Sequence, residues 1–172
     1  MRTTHVVVLP YDPKWKEDFF AIRAELEVAM GELALRIEHV GSTSVEGMSA
    51  KPCIDVDVVI PDRTCLKATI ERLASIGYVH EGNLGLEGRE AFCYTGKPHL
   101  QLHHLYVCPA DSEELRRHIT FREFLRQNPD AVKQYSRVKE QAARRFPDDI
   151  ERYLEYKSPC IAELYRMCGL ED

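Results

Sequence analysis

The stretch CIDVDVVI, residues 53–60, constrains this chain more than any other. Its Ile and Val residues are those of a strand inside a sheet, yet Asp55 and Asp57 interrupt it. Side chains alternate across a strand, so both carboxylates project from one face. Two ionised carboxylates that close repel each other and lose hydration unless a cation or several donors satisfy them. A divalent ion bridging both is one solution, because hard cations take oxygen ligands. The other is an ordinary half-buried strand with both acids on its solvent face.

The segment just ahead, HVGSTSVEGMSAKP, bears on that choice. Gly41 lets the backbone turn with positive φ and approach a ligand closely, and Ser42, Thr43 and Ser44 add hydroxyls to backbone N–H groups. Such a loop suits phosphate oxygens, with the aspartates holding the metal that bridges them. Lys51 is either a point charge on those phosphates or an exposed loop lysine. Arg89 is either a planar clamp for phosphate or half of a surface salt bridge. His118 and Arg122 lie four apart on one face of an expected helix; a structural contact to the sheet is the expectation, and pointing back to the site is the alternative.

Around this core the pattern reads as one α+β domain. A strand at 5–9 precedes a helix opened by Asp12-Pro13, whose inward stripe is Trp15, Phe19, Ile22, Leu26 and Met30. Residues 35–40 alternate as a strand. A second helix runs from Asp62 to about 75, with Leu66, Ile70 and Leu73 inward and Gly77 as its stop. Strands at 78–80, 89–95 and 100–108 follow, the last two as a hairpin about Gly96-Lys97-Pro98. Helices at 111–127, 130–145 and 148–168 complete the chain. The expected domain therefore spans 1–172, a small mixed sheet with covering helices in 1–108 and a helical part in 109–172.

Composition excludes several classes. The 172 residues suffice for one cored domain. A net charge of −5 gives no global footprint for nucleic acid, and no apolar run approaches the roughly 20 residues that cross a bilayer. The six cysteines form no C-x-x-C pair, and the opening MRTTHVVVLPYDP does not read as a signal peptide. Free thiols in a cytoplasmic protein are the expectation.

The order GS, a spacer, then D-x-D on an apolar strand resembles the nucleotidyltransferase superfamily of the DNA polymerase β type. Within or beside it, the sequence resembles the GrpB family through PYDPKW, IEHVGSTSVEGMSAKPCIDVDVV, HHLYVCP, RRHITFREFLRQNP and YLEYKSP. The resemblance runs nearly end to end. It implies a nucleotidyltransferase-like fold, a triphosphate on Gly41 and Ser42, and magnesium, or alternatively manganese, on Asp55 and Asp57. In such enzymes a third acid on a neighbouring strand activates the attacking hydroxyl. Here that strand reads LHHLYV, with His104 and Tyr106 on one face and no Asp or Glu. His104 is the substitute base or ligand, unless His103-His104 are simply one packed and one exposed ring. The implied activity is nucleotidyl transfer from a nucleoside triphosphate to a hydroxyl acceptor that the sequence does not identify. The alternatives are a non-catalytic nucleotide-binding or accessory module, as in GrpB-like domains fused to dephospho-CoA kinase, and phosphate-ester hydrolysis at the same site.

Overall fold

The computed structural model describes residues 5–170; of the opening segment read above, residues 1–4 lie outside the described residues. The first helix, α1 (Lys14–Met30), starts where the Asp12 carboxylate accepts the Lys14 N–H at 2.9 Å. Its expected stripe is the buried one, with Ile22, Leu26 and Met30 wholly inaccessible. Truncating any of these to Ala removes a transfer contribution and leaves a cavity, at a cost of about 2–5 kcal/mol. Strand β1 (Arg36–Val40) then pairs antiparallel with β2 (Ile54–Ile60).

Helix α2 (Leu66–Ala74) is entered through a short turn in which the Asp62 carboxylate accepts the Thr64 N–H at 2.8 Å. Strands β3 (Tyr78–Gly82), β4 (Glu90–Tyr94) and β5 (His103–Pro109) follow, and the sheet order is β1-β2-β5-β4-β3. β5 lies parallel to β2, and the other neighbours are antiparallel. A parallel pair cannot be joined by a tight turn, and α2, β3 and β4 supply the crossover. The expected hairpin exists, but its second strand begins at 103 rather than 100. Residues 95–102 form a longer loop, tied down by Gln101 Nε2 donating to the Pro52 carbonyl at 2.7 Å.

The strand expected at 5–9 reduces to one bridge, Leu9 to Ala50. The Val6 N–H bonds the Pro147 carbonyl at 2.7 Å instead, and its side chain packs with Ala142 and Tyr153. Those three belong to the C-terminal helices α3 (Glu113–Arg126), α4 (Pro129–Arg145) and α5 (Ile150–Met167) and their connections. Ser112 and Asp149 cap α3 and α5, accepting the Leu115 and Arg152 N–H groups at 3.2 and 3.1 Å. Among the described residues no helix is long and apolar enough to cross a membrane.

The two faces of the sheet differ. Ile54, Val56, Val58, Ile60, Leu105, Val107 and Phe92 face α1 and α2 and form the main core. The opposite face carries Asp55, Asp57, His104 and Tyr106, and α3 covers only one end of it, through Leu115 and Ile119 on Val59 and Cys108. The loop after β1 joins the two parts of the chain. Val45 and Met48 insert among Leu125, Ala131, Val132, Tyr135, Cys160 and Leu164, while Ser49 bonds Ser136 and Glu140 on α4. An open, acid-bearing strip of sheet thus lies beside a loop clamped by helices.

Candidate functional site

Asp57 is wholly buried. Its Oδ2 lies 2.6 Å from His118 Nδ1 on α3, and its Oδ1 is inaccessible with no hydrogen-bond partner. Burial raises the Asp57 pKa against the opposing pull of His118. Burial in turn works against a charge on His118, yet the bond to Asp57 prevails and raises its pKa. Asp55, with 31% of its side chain exposed, places Oδ1 3.0 Å from His104 Nδ1. That hydrogen bond pushes His104 up to about 10, so its imidazole holds a proton at neutral pH. The two acids share a face, as their spacing requires, and each has its own histidine.

His118 makes the expected contact to the sheet, and makes it at the acid pair, through Asp57. Arg122, one turn on, bonds Glu38 at 2.7 Å and the His39 carbonyl at 3.0 Å. Glu38 sits directly across from Asp57 in the β1–β2 register, so Arg122 engages the one carboxylate that a neighbouring strand offers. On β5 the positions beside Asp55 and Asp57 are His104 and Tyr106. Arg89, just before β4, lays its guanidinium over the Tyr106 ring, 4.0 Å from the centroid, with Nε buried and unpartnered. It stands by the acid pair, not in the surface salt bridge. His103 is the packed ring: it is buried against Tyr94 and bonded to Tyr78 and the Gln101 carbonyl.

The loop places its four small residues unequally. Gly41 has φ 74 and ψ −176, a conformation that glycine alone adopts without strain, and a Cβ there would overlap the Asp55 carboxylate. Ser42 stays half-buried beside it. Thr43 turns away to bond His39 Nε2 at 2.9 Å, and burial holds His39 near pKa 4, a neutral ring stacked on Phe19. The Ser44 hydroxyl donates to the Gly41 carbonyl at 2.5 Å. Gly41 therefore sits against Asp55 with Ser42 next to it, whereas Thr43 and Ser44 brace the turn and leave their hydroxyls engaged.

Two residues not expected at the site complete its surroundings, and Lys139, expected on a solvated helix face, is buried instead. Lys139 on α4, 2% exposed, donates from Nζ to Ser42 Oγ at 2.7 Å. Burial, then the charges of Lys157 and Lys51, hold its pKa well below the usual lysine value. Lys157 on α5 is lowered to about 8, by burial and then by Lys51. Lys51 thus sits with two other lysines rather than alone in solvent. A signal for Lys139 existed: Ala131, Val132, Tyr135, Ser136, Lys139 and Ala142 are the buried stripe of α4, and a lysine at such a position is rarely incidental.

Chemically, the strip offers a buried carboxyl oxygen without a donor, an accessible carboxylate beside it, and a turn through which a ligand can approach the backbone. An orphaned carboxylate oxygen is the feature a cation satisfies, so the acid pair fits a divalent ion. Among the described residues no three His, Cys, Asp or Glu side chains converge as a metal-binding group. Further ligands would have to come from a substrate.

A family model described as "GrpB protein" matches residues 5–167. The glutamate-rich protein GrpB of Alkalihalophilus pseudofirmus is 31% identical over 162 residues, covering 92% of this chain and 93% of its own length. A UPF0157 protein of Bacillus subtilis is 31% identical over 156 residues, 91% of this chain, but only 45% of the relative is spanned. A dephospho-CoA kinase of Mycolicibacterium paratuberculosis is 27% identical over 184 residues, covering 94% of this chain and 45% of the kinase. Among solved structures, the conserved protein GrpB from Enterococcus faecalis superposes with a TM-score of 0.79 at 32% identity, over 94% of this chain and 98% of that one. Cid1 in complex with a UTP analogue gives 0.55 at 12% identity, over 80% of this chain and 43% of Cid1. That last likeness shows a shared nucleotidyltransferase fold.

Proposed function

The chain belongs to the GrpB family, and we propose that its cleft binds a nucleoside triphosphate together with a divalent cation. One observation carries the reading: the buried, unpartnered Asp57 Oδ1 beside Asp55, immediately behind the Gly41–Ser42 turn. Asp55 and Asp57 would hold magnesium or manganese, which when bound neutralises phosphate oxygens and polarises the group they belong to. Gly41 and Ser42 take the phosphates. Arg89, already desolvated at Nε, offers its fork to an oxygen near Tyr106. Cid1, whose fold is shared, has been solved with MgGTP, which supports the same ligand class here.

Nucleotidyl transfer to a hydroxyl is the reaction such a cleft is laid out for. The β5 position where a carboxylate base is expected holds His104, which begins proton-loaded on Asp55. That observation favours a second reading, nucleotide binding without transfer as an accessory module, and the dephospho-CoA kinase relatives support it. Calorimetry and thermal shift with ATP, GTP, CTP and UTP plus magnesium test the binding. A rise in Tm of a few degrees is expected at saturation, abolished in Asp55→Asn/Asp57→Asn. Absence of binding by the wild type, or equal binding by the double variant, overturns it. Pyrophosphate release with a candidate hydroxyl acceptor then separates transfer from the accessory reading.

A further inference from the structure

Three lysines from three different elements meet behind Ser42. Lys51 comes from the loop before β2, Lys139 from α4 and Lys157 from α5. Lys51 and Lys157 both act on Lys139, Lys51 acts on Lys157, and Lys139 Nζ donates to Ser42 Oγ at 2.7 Å. Among the described residues none of the three has a carboxylate within ion-pair distance. Aromatic faces are their nearest compensation: Lys139 lies 4.3 Å from the Tyr135 centroid, with Lys157 and Lys51 at 5.0 and 5.7 Å from that of Tyr153. A cation–π contact contributes about 0.5–2 kcal/mol, far less than desolvating an ammonium costs. Like charges gathered without a counter-ion are unfavourable by themselves, and a fold that keeps them has a use for an anion.

We propose that Lys51, Lys139, Lys157 and Ser42 form a receptor for a chain of two or more phosphates, filled by the terminal phosphates of the ligand. The inference rests on the nucleotide reading above for the identity of that ligand, but the site itself requires no metal. A single phosphate dianion is too small a charge for three ammonium groups contributed by a loop and two helices. A phosphate chain starting at the Asp55 edge of Gly41 passes Ser42 and ends among the lysines. The other charged or titratable groups acting on the lysines are Asp55, which faces both Lys139 and Lys157, and Cys160, which acts on Lys139.

Filling the receptor must change protonation. Burial and neighbouring lysine charge lower the pKa values of Lys139 and Lys157 in the free protein, and a polyanion raises them again, so the protein takes up protons between those limits. Inorganic tripolyphosphate in the presence of a chelator is the probe, titrated by calorimetry at pH 8 in two buffers of different ionisation enthalpy. Binding with net proton uptake is expected, weakened at least tenfold in Lys139→Met and in Lys157→Met. Asp55→Asn/Asp57→Asn should preserve or tighten it, since those carboxylates repel the probe. Folded lysine variants that bind as the wild type does, or binding without proton uptake, overturn the proposal. Lysine-dependent tripolyphosphate binding by a protein that ignores magnesium nucleotides would sink the nucleotide reading alone and leave the receptor standing.

Discussion

The sheet side and the helix side of the cleft handle charge in opposite ways. On the sheet, Asp55 and Asp57 each have an imidazole within 3.0 Å, and Glu38 has Arg122. On the helices and the loop they clamp, Lys51, Lys139 and Lys157 have, among the described residues, aromatic faces and one hydroxyl but no carboxylate in ion-pair contact. The acid side is balanced as it stands, with one oxygen left over; the lysine side is not. A buried charge with its partner present costs little to keep, whereas an unpartnered one subtracts from stability. Removing a partner on the sheet should therefore destabilise the protein, and removing a charge on the helices should stabilise it.

The largest effect is expected from His118→Ala. It leaves Asp57, wholly buried, without its only hydrogen-bond donor among the described residues, at a cost of about 3–5 kcal/mol. Urea unfolding at pH 7 measures it. Asp57→Asn in the same background should restore much of the loss, because the charge is what burial penalises. A His118→Ala variant as stable as wild type would show that the sheet side is not balanced by its histidines.

Gly41→Ala comes next and acts where the two sides meet. Strain at φ 74 costs about 1–3 kcal/mol, and the added methyl overlaps the Asp55 carboxylate. Gly47→Ala is the reference: its φ is 84, but a Cβ there meets nothing closer than Val132 at 4.0 Å. Chemical denaturation should find Gly41→Ala the more damaging of the two by about 1 kcal/mol or more. Equal losses would mean that Asp55 moves aside freely and that the turn does not set the approach to the acid pair.

The two sides also differ in how plainly the sequence announces them. The acid pair, the glycine turn and the α1 stripe are local patterns, with periods of two and of three to four residues, and all three lie where the sequence places them. His118 and Lys139 meet their partners across 61 and 97 residues of chain. No local period encodes such a meeting; it follows from how the C-terminal helices settle on the sheet. Thr43 and Ser44 were legible as hydroxyls but not as braces, since the direction of each depends on His39 and the Gly41 carbonyl. The fold was thus readable nearly throughout and the site by half, the half carried on one strand and one turn.

The smallest effect, and the one that opposes the others in sign, is expected from Lys157→Met. A lysine titrates near 10.4 in the unfolded chain and near 8 here. Below about pH 8 the folded protein carries the charge at full cost. Between 8 and about 10.4 the unfolded chain binds a proton that the folded protein does not, so stability rises with pH; above that range the cost is gone. Replacing the lysine should therefore stabilise the protein by about 1 kcal/mol at pH 7, because the lost contact with Tyr153 offsets part of the relief. Thermal melts from pH 7 to 10 should show the advantage of the variant shrinking as pH rises. Saturating tripolyphosphate should reverse the order, since an anion that binds only the folded wild type adds stability that the variant cannot gain. A variant that melts below the wild type at pH 7 would place Lys157 among the balanced charges and remove the contrast between the two sides.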